Sequence, residues 1–185
     1  IEAIKARLAP ADQFAVNYVG IDLSLDGFAI ESVQNDPTVF ASAIRAVREV
    51  SKRPLILISR DPKIIAAGLL AIDGEAPLIY AAAESNWEAM ADLAKQHKTA
   101  LAVVAESLDR LAELTEKIKA KGVEDLVIDP AARDLHTSLS LNTQIRRLAL
   151  KKNFHALGYP TIAFPGESAI ESVAATQAIT KYAGF

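Results

Sequence analysis

Residues 123–167 read VEDLVIDPAARDLHTSLSLNTQIRRLALKKNFHALGYPTIAFPGE, and the fold class turns on how that stretch is parsed. A short apolar run, Leu126-Val127-Ile128, ends at Asp129-Pro130. A helix carrying Gln144, Arg146 and Arg147 follows, and then a second apolar run, Thr161 to Phe164, closed by Pro165-Gly166. Apolar runs of four or five residues between turn residues suit strands covered on both faces, as a parallel sheet under helices requires. Strand, polar loop, helix, strand is one βα repeat.

The preceding sequence repeats it. Gly27 to Ser32 (GFAIES), Pro54 to Ser59 (PLILIS), Pro77 to Ala82 (PLIYAA) and Thr99 to Ala105 (TALAVVA) read as strands. Asp36-Pro37 opens a helix over 38–51, the Asp as N-cap and the Pro where its missing N–H costs nothing; Val39, Phe40, Ala43, Ile44, Val47 and Val50 form its apolar face. Asp61-Pro62 repeats the signal for a helix over 63–72, and Ser85 with Glu88 has capping-box spacing before a helix reaching His97. Ser107 and Asp109 start a helix whose Leu111, Leu114 and Ile118 mark its inner side. At the ends, Ile1 to Leu8 is helical and stopped by Ala9-Pro10, residues 13–25 are mixed, and a last helix spans about 168–183 with Gly184 as its C-cap.

Strand starts near 27, 54, 77, 99 and 125 lie roughly 22 to 27 residues apart, with one more near 160. Such regular spacing gives an α/β fold with a parallel sheet, either doubly wound or a (β/α) barrel. Neither GxGxxG nor GxxxxGK[ST] is present and the units never change character, which favours a TIM-type barrel. About six of eight βα units are visible, so the barrel is apparently incomplete. The chain begins with Ile inside a helix, and residues 1–185 are read as a single barrel domain within a longer protein.

With 185 residues, 51% of them hydrophobic, the chain can bury a sizeable core. A net charge of −3 argues against a nucleic-acid partner, and the one basic cluster, Arg146, Arg147, Lys151 and Lys152, is accounted for as a solvated helix face. Without cysteine there is no disulfide, thiolate metal site or iron–sulfur ligand, and a cytoplasmic location is expected. No apolar run approaches the ~20 residues of a membrane span.

In a βα barrel the chemistry sits at the C-terminal ends of the strands. The candidate mouth residues are therefore Glu31, Asp61, Asn86, Asp129, Arg133, Asn142 and Gln144, with Glu106, Ser107 and Glu167 on the same rim. Helix capping alone also accounts for Asp61, Ser85, Ser107 and Asp129. Arg133 to Gln144 (RDLHTSLSLNTQ) is longer than the usual ~2–6 residue βα loop. Its amides could hydrogen-bond a neutral polar ligand or a partner's backbone, or Asn142 and Thr143 could simply cap the next helix. His97, His136 and His155 have no HExxH or HxH spacing, no lysine lies inside a strand, and no serine sits in GxSxG. No metal site and no catalytic residue is expected. Trp87, beside Met90, is expected to pack in the core.

The blocks Asp125 to Pro130 (DLVIDP), Asn142 to Leu150 (NTQIRRLAL) and Leu157 to Pro165 (LGYPTIAFP) resemble the large (gamma) subunit of the corrinoid iron–sulfur protein of the acetyl-CoA decarbonylase/synthase complex. Asn35 to Pro37, Pro54 to Leu57, Pro77 to Ala82, Asn86 to Ala91 and Lys181 to Gly184 extend the likeness in collinear order. The resemblance implies the central barrel of a methyl carrier, flanked in the whole protein by a four-cysteine iron–sulfur segment and a cobalamin domain. It also implies pairing with the homologous barrel of the small (delta) subunit. A methyl group would pass from a methyltetrahydropterin and its methyltransferase, by way of cobalt, to acetyl-CoA synthase. Neither cofactor falls on a residue of this chain, so the stretch is expected to be a scaffold. A stand-alone pterin-binding barrel methyltransferase and a subunit-interface module without ligand are the alternatives.

Overall fold

The computed structural model describes residues 1–167, 170–181 and 183–185, without the side chain of Glu167. It is an α/β structure of helices alternating with strands, and β3 (Phe28–Glu31), β4 (Leu55–Ile58), β5 (Leu78–Ala82), β6 (Ala100–Val104) and β7 (Leu126–Asp129) form a five-stranded sheet in that order. The registered pairings are parallel. Strand order equals chain order, with none of the reversal that marks a doubly wound sheet. Two compact units divide the chain, Ile1–Tyr80 and Ala81–Phe185.

In the first unit, α1 (Glu2–Asp12) leads into an antiparallel hairpin, β1 (Ala15–Tyr18) and β2 (Ile21–Ser24), every residue of which is exposed. The helix runs through Pro10 instead of stopping there. Proline forfeits only its own N–H bond in the last turn, and a tertiary clip holds that turn. Arg53 donates from Nε to Asp12 Oδ1 at 3.1 Å and from Nη2 to the Asp12 carbonyl at 2.9 Å, and Ser51 Oγ also bonds the Asp12 carboxylate.

α2 (Pro37–Val50) is capped as expected: Asp36 accepts from Thr38 N–H at 2.7 Å and Val39 N–H at 3.1 Å. It buries Phe40, Ala41, Ile44, Ala46 and Val47, while Val39 faces out. α3 (Pro62–Ala71) packs on it at Gly68, where a methyl group would lie 2.8 Å from Phe40 and 2.9 Å from Ile44. Two-faced burial does not extend to every strand. β4 alternates buried and half-buried residues, and β3, at the sheet edge, exposes Ala29 and Glu31.

In the second unit β6 and β7 are covered on both faces, with only Ala100 of their residues half-buried. α4 (Trp87–His97) buries Met90, Ala91 and Ala94, and α5 (Leu108–Ala120) buries Leu111, Ala112, Leu114, Thr115 and Ile118. The Ser85–Glu88 capping box does not form; Asn86 occupies the N-cap and its side chain bonds elsewhere. Trp87 is half-buried, its ring 6.0 Å from Lys117 Nζ and 5.6 Å from Lys121 Nζ, so it joins α4 to α5 through cation–π contacts as well as packing.

α6 (Leu135–Lys151) begins inside the 133–144 stretch read as a long loop, so the connection after β7 is an ordinary short one. The hydroxyl and amide residues taken for a loop fold back along the helix: Thr143 Oγ1 donates to the Leu139 carbonyl at 2.7 Å. Thr161 makes a parallel bridge to Ile128, with Ile128 N–H to the Pro160 carbonyl at 2.8 Å and Ile162 N–H to the Ile128 carbonyl at 3.1 Å. Pro165–Glu167 is a 3₁₀ turn, and α7 spans Glu171–Thr180; the expected helix start at Ser168 lies outside the described residues. Gly184 is no helix cap. Ala183 bridges Thr161 in parallel, and Gly184 N–H bonds the Thr161 carbonyl at 2.8 Å, so a further extended segment lies beside the last bridge.

Candidate functional site: the end of the seventh strand

Asp129 closes β7 with a side chain only 1% exposed, where an isolated carboxylate would be costly. Its oxygens are met by an ordered set of donors. Oδ1 accepts from Ala131 N–H at 2.7 Å and Arg133 Nη1 at 3.1 Å, and Oδ2 accepts from Arg133 Nη2 at 2.8 Å. The two-pronged pair fixes the guanidinium plane as a lysine could not. Pro130 and the Asx-type turn place Ala131 at φ 55°, a left-handed conformation unfavourable for a residue with a Cβ. Backbone held there by a buried carboxylate marks a position worth testing for function.

The other face of Arg133 lies over Phe164, 5.0 Å from the ring centroid. Arg133 and Phe164 line a shallow depression with Ala132, Leu135, Ser138 and Pro165. Asp134 caps α6, accepting from Thr137 N–H at 2.9 Å, and that bond holds its carboxyl below the usual range. The arrangement presents one aimed, partly exposed cation beside an aromatic face. Among the described residues it pairs no nucleophile with a base.

The remaining predicted positions disperse. Glu31 is exposed at the end of β3. Asp61 caps α3 by accepting from Lys63 N–H at 2.8 Å, and no hydrogen bond or ion pair joins it to Glu31 among the described residues. Asn86 fastens its own loop, its Oδ1 accepting from Ala83 N–H at 2.7 Å and its Nδ2 donating to the Ala81 carbonyl at 3.2 Å. Asn142 and Gln144 lie within α6, bonded to Ser138 at 3.2 Å and Ser140 at 3.1 Å, and two-residue spacing sends them to different sides of the helix. Of the seven, the structure brings together Asp129 and Arg133. Phe164 was missed, and its only signal was its place at the end of an apolar run.

No group of three or more His, Asp or Glu that could hold a metal occurs among the described residues, and the chain has no cysteine. A thiolate-held iron–sulfur cluster therefore does not fit these residues. No described helix is long and apolar enough to cross a membrane.

The chain is 37% identical to the corrinoid/iron–sulfur protein large subunit of Moorella thermoacetica over its whole length, covering 42% of that protein. It is 34% identical to acetyl-CoA decarbonylase/synthase complex subunit gamma 2 of Methanosarcina mazei over 88% of the chain and 36% of the relative. The gamma subunit of Archaeoglobus fulgidus is 32% identical over 89% of the chain and 36% of its own length. The chain thus spans about two fifths of the relatives it matches. The profile described as the CO dehydrogenase/acetyl-CoA synthase delta subunit matches residues 2–185, and the chain belongs to that family.

Proposed function

We propose that residues 1–185 are the barrel scaffold of a corrinoid iron–sulfur methyl carrier, with cobalamin and the 4Fe-4S cluster held by sequence outside this stretch. The observation that carries the reading is similarity across the whole chain to a relative named for both cofactors, in a stretch with no cysteine to bind a cluster. Chain-order pairing of the strands, continued by the bridges at Thr161 and Ala183, supports a singly wound barrel. The methyl group would move from methyltetrahydropterin through the corrinoid to acetyl-CoA synthase in the cytoplasm, with the small (delta) subunit barrel as partner. When bound, the corrinoid supplies the methyl-transfer chemistry, and this chain positions the modules that hold it.

Within the scaffold, the Arg133 guanidinium and Phe164 ring offer a fixed polar contact to a neighbouring module. No residue here acts as acid, base or nucleophile. The test is reconstitution of purified residues 1–185 with hydroxocobalamin and with iron and sulfide, followed by gel filtration, visible spectroscopy and metal analysis. Neither cofactor should be retained. Stoichiometric corrinoid would overturn the assignment, as would calorimetric binding of methyltetrahydrofolate to the same polypeptide.

A further inference from the structure

α6 contributes little to its own unit. Of its 17 residues only Ile145 is buried, whereas the 13-residue α5 buries five. Leu150 is 70% exposed. Most helices in proteins are stabilised by an apolar face laid on a neighbour, and this one leaves apolar surface unused. Asn142, Ile145, Arg146, Ala149 and Leu150 recur at the spacing that puts them on one side of the helix. They line a groove of about 290 Å³, open to solvent, together with Leu157 to Thr161 and Lys181. A second depression shares Asn142, Arg146, Leu150 and Lys181 and adds Arg147 and Lys151, so the groove continues across the helix surface.

Two chemistries meet there. Leu150, which is exposed, and Tyr159, which is half-buried, supply apolar surface. Arg147, Lys151 and Lys181 are cationic and, among the described residues, in no ion pair, and neither depression is lined by a carboxylate although the chain carries a net charge of −3. Cations near a helix C-terminus are favoured by the helix dipole. That explains their sign, but not the exposed apolar surface beside them.

We propose that this groove is the docking site for an extended acidic segment of another protein subunit. Carboxylates of the segment pair with Arg147, Lys151 and Lys181, and an apolar side chain covers Leu150 and the exposed part of Tyr159. A peptide carries both kinds of group at short repeats. A free phosphate would leave the apolar surface in water, and a nucleic acid needs a longer cationic track. The inference stands independently of the corrinoid reading, since it uses only α6 and its neighbours.

The intact protein is titrated with a fluorescein-labelled peptide alternating Glu and Leu, read by anisotropy, with an equal-length Lys/Leu peptide as control. Saturable binding of the acidic peptide alone is expected, weakened ~10-fold or more by the double substitution Arg147→Glu/Lys151→Glu and by added salt. Both replaced side chains are exposed, so an unchanged thermal midpoint will show that the fold is intact. Glu116→Ala on α5 should leave binding unchanged. No saturation up to about 1 mM peptide, or binding that survives charge reversal, overturns the proposal. So does sedimentation showing that a second copy fills the groove.

Discussion

Arg133 grips Asp129 with both arms of its guanidinium, Nη1 3.1 Å from Oδ1 and Nη2 2.8 Å from Oδ2. The carboxylate is buried while the arginine is 30% exposed, so the pair is anchored from within and partly screened from without. Asp129→Ala removes an acceptor from Arg133 and from the strained Ala131 N–H at once. A loss of about 2–3 kcal/mol is expected in urea unfolding, below the range for a fully buried broken pair because water reaches the cation. Arg133→Ala should cost a similar amount or more, since it strands the buried carboxylate. A double-mutant cycle that shows no coupling between the two would refute the pairing.

Two glycines rank by what a methyl group would strike. At Gly27 an added Cβ falls 2.6 Å from the Pro54 carbonyl oxygen, the acceptor for Phe28 N–H, and backbone there cannot yield without breaking the β3–β4 pairing. At Gly68 the obstacles are the Phe40 ring and the tips of Ile44 and Leu57, which can shift, and alanine's helix preference offsets part of the cost. Gly27→Ala should therefore lose ~2–3 kcal/mol and Gly68→Ala ~1 kcal/mol, read by denaturant midpoint. The reverse order would refute this account.

Arg53 ties the end of α1, through Asp12, and the end of the hairpin, through the Leu25 carbonyl, to the segment before β4. Replacing it with alanine should speed amide exchange in residues 2–24 by ~10-fold and leave β4 and β5 unchanged, because a local opening is released without global unfolding. Uniform acceleration throughout the chain would show that the clip is not local.

The lowered pKa of Asp134 gives stability a pH signature. Its folded-state value lies below the unfolded one, so its contribution is complete above the unfolded pKa and is lost as pH falls through the folded value. Asp134→Asn should therefore narrow its deficit in thermal midpoint relative to the parent as pH drops from 6 to below ~4. A deficit that widens on acidification would reverse the assignment.

The parts of the fold legible in sequence were those dictated by local chemistry. Asp36-Pro37 and Asp61-Pro62 opened helices where they stand, and the apolar runs at 55–58, 78–82, 100–104 and 126–129 became strands. The misreadings turn on which partner a polar group takes, whether far along the chain or a few residues away. Pro10 would end an isolated helix, but Arg53 and Ser51 hold the last turn together. The Ser85–Glu88 spacing suggested a capping box, but Asn86 takes the N-cap and turns its amide back into the loop after β5. The Ser, Thr and Asn content of 137–144 looked like a loop because hydroxyls bonding to carbonyls four residues back cannot be told in sequence from hydroxyls facing water. Asp129 and Arg133 could be found from opposite charges at four-residue spacing. Phe164 could not, since its role exists only once Thr161 has bridged to β7.

That each strand of the five-stranded sheet after β3 lies against its immediate predecessor in the chain has a bearing on how the molecule is made. A nascent chain leaving the ribosome meets the pairing edge it needs as soon as the next helix has been synthesised. No strand has to wait for a distant partner, so hydrophobic edges are shielded in turn, and the sheet can be laid down in the direction of translation.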